Sequence, residues 1–164
     1  MARLELVGAE PPGHEQIIVL DAGPLGIITN PKATPDNELS RALVRRWQAR
    51  GAVVVVPEVA DYEVRRELLR LGKSNGLGRL NTLRQTVTFW PITSGAMLRA
   101  AELWAQARQQ GRPSAPNLAL DADMILLAQA EEVARELEAE AVVATTNVRH
   151  LAPFANVRQW QDVR

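Results

Sequence analysis

The sequence contains no cysteine among its 164 residues and only two histidines, His14 and His150. The absence of cysteine excludes a disulfide scaffold, a thiolate zinc site and a cysteine nucleophile, and it fits a reducing cytoplasm. The longest apolar runs, residues 53–56 and 124–128, are far shorter than the ~20 residues that a membrane helix needs. Residues 1–15 contain no apolar block, so we expect a flexible arm there instead of a signal peptide.

Charge is also lacking overall, because 19 basic and 19 acidic side chains give a net charge of zero. The charges are nevertheless unevenly distributed. Residues 41–84 carry ten basic side chains against four acidic ones, whereas residues 121–140 carry seven acids against Arg135 alone. Two interpretations remain open: two solvated helix faces of opposite sign, or a basic groove beside an acidic site.

Short β-branched runs alternate with helical patterns along the chain, which is typical of an α/β fold with parallel strands and crossover helices. We expect a single domain over residues 16–164. The predicted strands are residues 17–20, 53–56, 86–89, 141–144 and 156–160. The predicted helices follow the turn-rich residues 30–37 as far as Gly51, and then cover residues 58–71, 94–110 and 121–138.

Acidic and polar side chains follow several of these strands at their carboxyl ends, where ligands bind in an open parallel sheet. Asp21 directly follows the first strand, and Glu63 lies in the helix after the second. Asp121 and Asp123 open a helix whose first half is apolar on every side. Two hydroxyls and an amide, Thr145, Thr146 and Asn147, follow the fourth strand. We therefore expect these groups to share one edge of the sheet.

Each acid also has an ordinary structural interpretation. Asp21 could cap a turn, Glu63 could form a surface pair, and one of Asp121 and Asp123 could cap the helix. A cluster is more demanding, because two carboxylates ~4 Å apart repel by about 4 kcal/mol at an effective dielectric constant of 20. Such a cluster needs shared protons or a cation, and oxygen ligands favour Mg²⁺ or Mn²⁺ over zinc. These ions promote hydrolysis of phosphodiesters.

Four segments together resemble the PIN-domain nucleases of the VapC toxin type. They are LDAGPLG at 20–26, PEVADYEVRREL at 57–68, LDADMILLA at 120–128 and ATTNVRHL at 144–151. Their order and spacing match the family over about residues 17–160. The resemblance implies an α/β/α sandwich with a central, mostly parallel sheet of four or five strands, an acid cluster that binds Mg²⁺ or Mn²⁺, and cleavage of RNA.

By motif, the resemblance implies that Asp21, Glu63 and Asp123 are the catalytic, metal-organising acids, with Asp121 as a fourth member. Asn147 stands where the family often has another acid, which leaves one or two metal ions open. The family's toxins pair with a small antitoxin and commonly dimerise, so an antitoxin and a homodimer are expected.

Substrate binding is expected from Thr145, Asn147 and Arg66. On a helix, Arg66 flanks Glu63 whereas Arg65 points largely away from it. Arginine binds phosphate oxygens in any sequence context.

Three other functions compete with a nuclease. A receiver or dehalogenase-type phosphotransfer domain also places an aspartate after its first strand, but here Ala22 and Gly23 follow it and no lysine follows a late strand. A phosphate loop is disfavoured because Gly72, Lys73 and Ser74 lack the upstream glycine and strand. The third alternative is a catalytically inactive PIN-like module that binds nucleic acid or protein, against which the mutually repelling acids argue.

Overall fold

The structure, a computed structural model, describes residues 16–117 and 119–164; the arm predicted over residues 1–15 lies outside this range. The strands are β1 (Ile17–Leu20), β2 (Val53–Pro57), β3 (Thr88–Trp90), β4 (Ala141–Thr145) and β5 (Val157–Gln159). The helices are α1 (Ala22–Thr29), α2 (Pro35–Ala49), α3 (Glu58–Arg70), α4 (Ser74–Thr86), α5 (Ser94–Gln109), α6 (Ala122–Glu136) and α7 (Val148–Leu151). A 3₁₀ turn, Trp160–Asp162, follows β5.

The five strands form one sheet in the order β3-β2-β1-β4-β5, and each neighbouring pair is parallel. Ile17 of β1 pairs with Val53 of β2 on one side and with Ala141 of β4 on the other. The predicted α/β fold with a parallel sheet of four or five strands is confirmed. The carboxyl ends of β1, β2 and β4 consequently meet at one edge.

The sheet separates two apolar cores because side chains of a strand alternate between its faces. Ile17 and Val19 pack with α5 and α6, whereas Ile18 and Leu20 pack with α1, α2 and α3. The first half of α6, from Met124 to Ala128, is at most 2% exposed. This confirms that the uninterrupted apolar run is buried on every side. No helix in the described parts of the chain is long and apolar enough to cross a membrane.

Three helices, α1, α4 and α7, were not expected from the sequence. Gly23 and Pro24 suggested a turn, but proline is compatible with the first helical turn, where α1 places it. A Cβ on Gly23 would lie only 3.0 Å from Thr146 Cγ2, so glycine lets α1 approach the end of β4. Because α4 extends through Thr86, β3 begins two residues later than predicted.

The start of α3 is stabilised by a hydrogen bond from its backbone to a side chain of another helix. Pro57 precedes α3 and provides no side-chain cap. Instead, the Val59 amide donates a 3.3 Å hydrogen bond to Gln129 Oε1 of α6, and Gln129 Nε2 donates a 2.8 Å bond to the Trp90 carbonyl. Gln129 is fully buried. This one side chain therefore ties α3, α6 and the end of β3 together.

Candidate active site

Asp21 is held at the edge of the sheet by the two elements that meet there. Its amide donates to the Ala144 carbonyl of β4 at 3.0 Å. One carboxylate oxygen caps α1 by accepting from the Ala22 amide at 2.7 Å, and the other accepts from the Thr145 hydroxyl at 2.6 Å. Asp21 is thus both a helix cap and a member of the predicted site, with a fixed orientation.

Thr145 lies behind Asp21 in the fold. Its side chain is fully buried, and its hydroxyl oxygen accepts a 3.0 Å hydrogen bond from the Asn147 amide while it donates to Asp21. The structure therefore assigns Thr145 the task of orienting Asp21. Asn147 is exposed at the start of α7. Contact of Thr145 or Asn147 with a substrate stays a prediction. The structure supports this prediction less for Thr145, because its side chain is fully buried.

Glu63 on α3 and Asp123 in the first turn of α6 are partly buried and feel the negative charge of Asp21. Burial is the largest cause that raises the pKa of Asp123 to about 6, followed by repulsion from Asp21 and Asp121, with His150 opposing. Burial also raises the pKa of Glu63, with repulsion from Asp21 and Asp123 and an opposing effect of Arg66. Three predicted site acids from three elements thus converge electrostatically.

Asp121 has a different environment. It is 6% exposed and caps α6, accepting from the Met124 amide at 3.3 Å. Its second oxygen accepts from the Ser114 hydroxyl at 2.6 Å, and Arg108 Nη1 lies 3.9 Å away. Both oxygens therefore already have a donor, and metal binding by Asp121 stays a prediction. Sequence reasoning did not identify Ser114 or Arg108, because neither belongs to a recognisable pattern.

The donor chemistry of the cluster fits a hard divalent ion. Asp21, Glu63 and Asp123 offer only carboxylate oxygens, which Mg²⁺ and Mn²⁺ prefer. As the side chains are placed, no three Asp, Glu or His residues of the described chain are close enough to enclose a cation. Glu63 and Asp123 accept no hydrogen bond that contributes to their pKa shifts.

Basic side chains near the acids separate as predicted from helix geometry. Arg66 Nη2 lies 3.9 Å from Glu63 Oε1, and its guanidinium lies 5.3 Å from the Tyr62 ring centre. Arg65 instead forms a two-pronged pair with the buried Asp61, at 2.8 and 2.9 Å. A cavity of about 400 Å³ between α1 and α3 is lined by Gly23, Glu63 and Arg66 among others. Arg66 is therefore the cation placed to meet a ligand at Glu63.

A larger groove of about 730 Å³ lies between α2 and α4, beyond the end of α1. Arg41, Arg45 and Arg79 line it together with apolar side chains such as Val44 and Leu83, and no acid of the described residues lines it. The basic stretch predicted from the sequence is thus divided between this groove and α3. Of these two cavities, only the smaller one is lined by carboxylates of the described residues, which makes it the candidate for the reaction.

Comparison with known proteins places this geometry in a family. No curated protein matches the sequence. Among solved structures, the chain is similar to VapBC from Salmonella typhimurium, bound to DNA (TM-score 0.67, 16% identity, 88% of this chain and 98% of that one). It is also similar to VapBC2 from Rickettsia felis, bound to a promoter fragment (TM-score 0.64, 14% identity, 87% of this chain and 97% of that one). A third similar structure is VapC20 from Mycobacterium tuberculosis, a toxin that cleaves the sarcin-ricin loop (TM-score 0.57, 16% identity, 84% of this chain and 95% of that one).

At these identities the structural likeness establishes the fold. The sequence itself gives the family: the model of the PIN domain matches residues 32–151. That stretch contains α2 to α7 and three of the four acids, while Asp21 lies just before it. The chain therefore belongs to the PIN domain family.

Proposed function

We propose that the protein is a metal-dependent endoribonuclease that hydrolyses phosphodiester bonds. One observation carries this proposal: Asp21, Glu63 and Asp123 come from three separate elements to one sheet edge, where burial and the charge of Asp21 raise the pKa values of Glu63 and Asp123. Carboxylates crowded in this way favour a bound cation. Membership of the PIN family supports a nuclease, and the RNA-cleaving neighbour supports RNA as the substrate.

Asp21 and Asp123, with Asp121 as a further candidate, would hold Mg²⁺ or Mn²⁺. When bound, such an ion polarises a phosphoryl oxygen and makes water more acidic. Thr145 keeps the Asp21 carboxylate in one orientation. Glu63, whose pKa is raised, is suited to accept a proton from the attacking water. Arg66 would bind a phosphate oxygen at the rim, and Asn147 would offer a hydrogen bond to the substrate.

We also propose that the protein acts as the toxin of a toxin-antitoxin pair in the cytoplasm. Two of the similar structures are VapBC complexes. The groove lined by Arg41, Arg45 and Arg79 suits a partner segment that combines apolar and acidic side chains. A homodimer is part of this proposal. The alternative is a catalytically inactive binding module. It is favoured by the observation that, in the described residues, no three acids lie close enough together to hold a cation.

The test is cleavage of labelled single-stranded and structured RNA, and of DNA of the same sequence, with Mn²⁺ or with a chelator. We expect Mn²⁺-dependent cleavage of RNA that Asp21→Asn abolishes and that Asp36→Asn preserves. Asp36 is the matched control, since it is an exposed first-turn acid of α2. Cleavage that persists in the chelator, or in folded Asp21→Asn, contradicts the proposal. A wild-type protein that binds RNA and cleaves none is the inactive module.

A further inference from the structure

We propose that the pocket between α5 and the start of α6 binds an unpaired nucleobase of the substrate, next to the phosphate held by the acid cluster. The pocket has a volume of about 250 Å³, and it is lined by Met97, Trp104, Leu120, Asp121 and Met124, with small alanines between them. This inference rests on the proposed nuclease function and adds a substrate feature to it.

The walls of the pocket suit a flat heteroaromatic ring. An indole, two methionines and a leucine supply apolar contact, and the small alanine side chains leave room between them. Leu120 is 74% exposed, so its side chain contributes little to the core. Stacking of a base on an aromatic side chain contributes about 1–3 kcal/mol and works for every base. The composition therefore favours recognition of a base over recognition of a charged group.

The pocket adjoins the start of α6, where Asp121 and Asp123 lie. Asp121 lines the pocket and caps α6, and Asp123 follows two residues later in the first turn. A phosphodiester bound at Asp123 and a base bound in the pocket would therefore lie at the same end of α6. Proteins that act on RNA commonly take unpaired bases out of the strand and stack them on aromatic side chains.

Arg108 holds both sides of the pocket in place before any ligand arrives. Its guanidinium lies 3.8 Å from the centre of the Trp104 ring. Its Nε donates to Asn117 Oδ1 at 3.0 Å, and its Nη2 donates to the Ala115 carbonyl at 2.7 Å. The arginine thereby fixes the indole and also Ala115 and Asn117, which precede the pocket residues in the chain. A wall that is already ordered loses little conformational entropy on binding.

A second copy of the chain is the competing occupant, because other apolar side chains of α5 are also exposed. Leu98 is 72% exposed, close to the value for Leu120, but it lines an adjoining depression with Ile92 and Thr93 and does not line the pocket. A subunit interface on this face would cover both leucines. A nucleobase in the pocket would contact only Leu120, so the two residues make a matched pair of probes.

The experiment compares adenosine 5′-monophosphate with ribose 5-phosphate, which has the same sugar and phosphate without the base, both titrated by calorimetry with Mn²⁺. We expect the nucleotide to bind wild type about tenfold more tightly, from the stacking contribution. The ratio should fall to near one in Leu120→Ser and in Trp104→Leu, and stay at the wild-type value in Leu98→Ser. Leu120→Ser guards against a folding defect, since Leu120 is exposed.

Equal binding of the two ligands by wild type, or binding of neither, overturns the proposal. So does a ratio that Leu120→Ser leaves unchanged. If both serine variants turn a dimer into a monomer and leave the ratio unchanged, the face is an interface between copies. RNA cleavage measured in parallel keeps the two proposals apart: wild type that cleaves RNA without favouring the nucleotide disproves only the base pocket. Wild type that favours the nucleotide without cleaving disproves only the nuclease.

Discussion

Helices α3 and α6 each carry one acid that accepts hydrogen bonds from neighbouring donors and another that meets burial and like charge. Glu132 of α6 accepts from Trp90 Nε1 at 3.0 Å and from the Thr93 hydroxyl at 2.5 Å. Glu58 of α3 accepts from the Ile92 amide at 2.6 Å. Glu63 and Asp123, on the same two helices, meet burial and like charge instead.

The contrast distinguishes acids that stabilise the fold through hydrogen bonds from acids that we propose to bind a ligand. Hydrogen-bond donors aimed at a carboxylate stabilise its charge, so Glu58 and Glu132 bind the segment after β3 to both helices. Burial beside like charge destabilises the ionised form, so Glu63 and Asp123 reduce the stability of the fold without a cation. Each helix therefore combines an anchoring acid with one of the acids of the proposed site, which are called functional acids below.

Removal of a functional acid should produce the largest effect. We expect Asp123→Asn and Glu63→Gln to reduce RNA cleavage about 100- to 1000-fold, the usual cost of losing a group that stabilises transition-state charge. The free energy of unfolding should stay constant or rise, because repulsion is relieved. Single-turnover cleavage and urea denaturation measure the two effects. If one of these variants cleaves RNA like wild type, the substituted acid has no part in the reaction.

Removal of an anchoring acid should have the reverse pattern. Glu132→Ala leaves the Trp90 indole N–H and the Thr93 hydroxyl without their partner, which should lower the free energy of unfolding by about 2 kcal/mol. Cleavage per folded molecule should stay within a few-fold of wild type. Glu136→Ala, an exposed change on the same helix, is the control and should be neutral. Loss of RNA cleavage by a fully folded Glu132→Ala variant would contradict the assignment of Glu132 as an anchoring acid.

The pH dependence of stability should report the functional acids. Because the pKa of Asp123 rises on folding, from 3.8 to about 6, the folded state binds its proton more tightly than the unfolded state. The free energy of unfolding should therefore fall as pH rises from about 4 to 6, by about 1–2 kcal/mol. Urea denaturation across this range measures the fall. Asp123→Asn should flatten the curve relative to wild type, and Mn²⁺ should restore stability at neutral pH.

The smallest effects concern the adjacent arginines of α3. Arg66→Ala should weaken RNA binding in every sequence context and reduce the salt slope by about one, since one phosphate contact is lost. Arg65→Ala should leave the slope unchanged and destabilise the fold by about 1 kcal/mol, because the buried Asp61 loses its partner. Fluorescence anisotropy over a salt series, with denaturation in parallel, tests both. An unchanged slope in Arg66→Ala would place the substrate path elsewhere.

The sequence predicted most clearly what depends on periodicity and chain order. The alternating runs predicted the sheet, the carboxyl ends of strands predicted where Asp21 and Thr145 lie, and the apolar run after Asp123 predicted a buried helix. Helix α4 was not predicted, because its two glycines, Gly76 and Gly78, and its weak apolar pattern obscure a helix that packing stabilises. Long-range side-chain partners were also out of reach: nothing local indicates that Ser114 would bond Asp121, or Gln129 the start of α3.

The bond between Asp21 and Thr145 also constrains when activity can arise during synthesis. The two residues are 124 positions apart, so Asp21 leaves the ribosome long before the hydroxyl that orients it. Asp123 is likewise in the last third of the chain. Domains generally fold as units during translation, and here the nascent chain lacks Asp123 and the hydroxyl that orients Asp21 until residue 145 has been made. A chain with the proposed ribonuclease activity would therefore lack a complete site until that point of its synthesis.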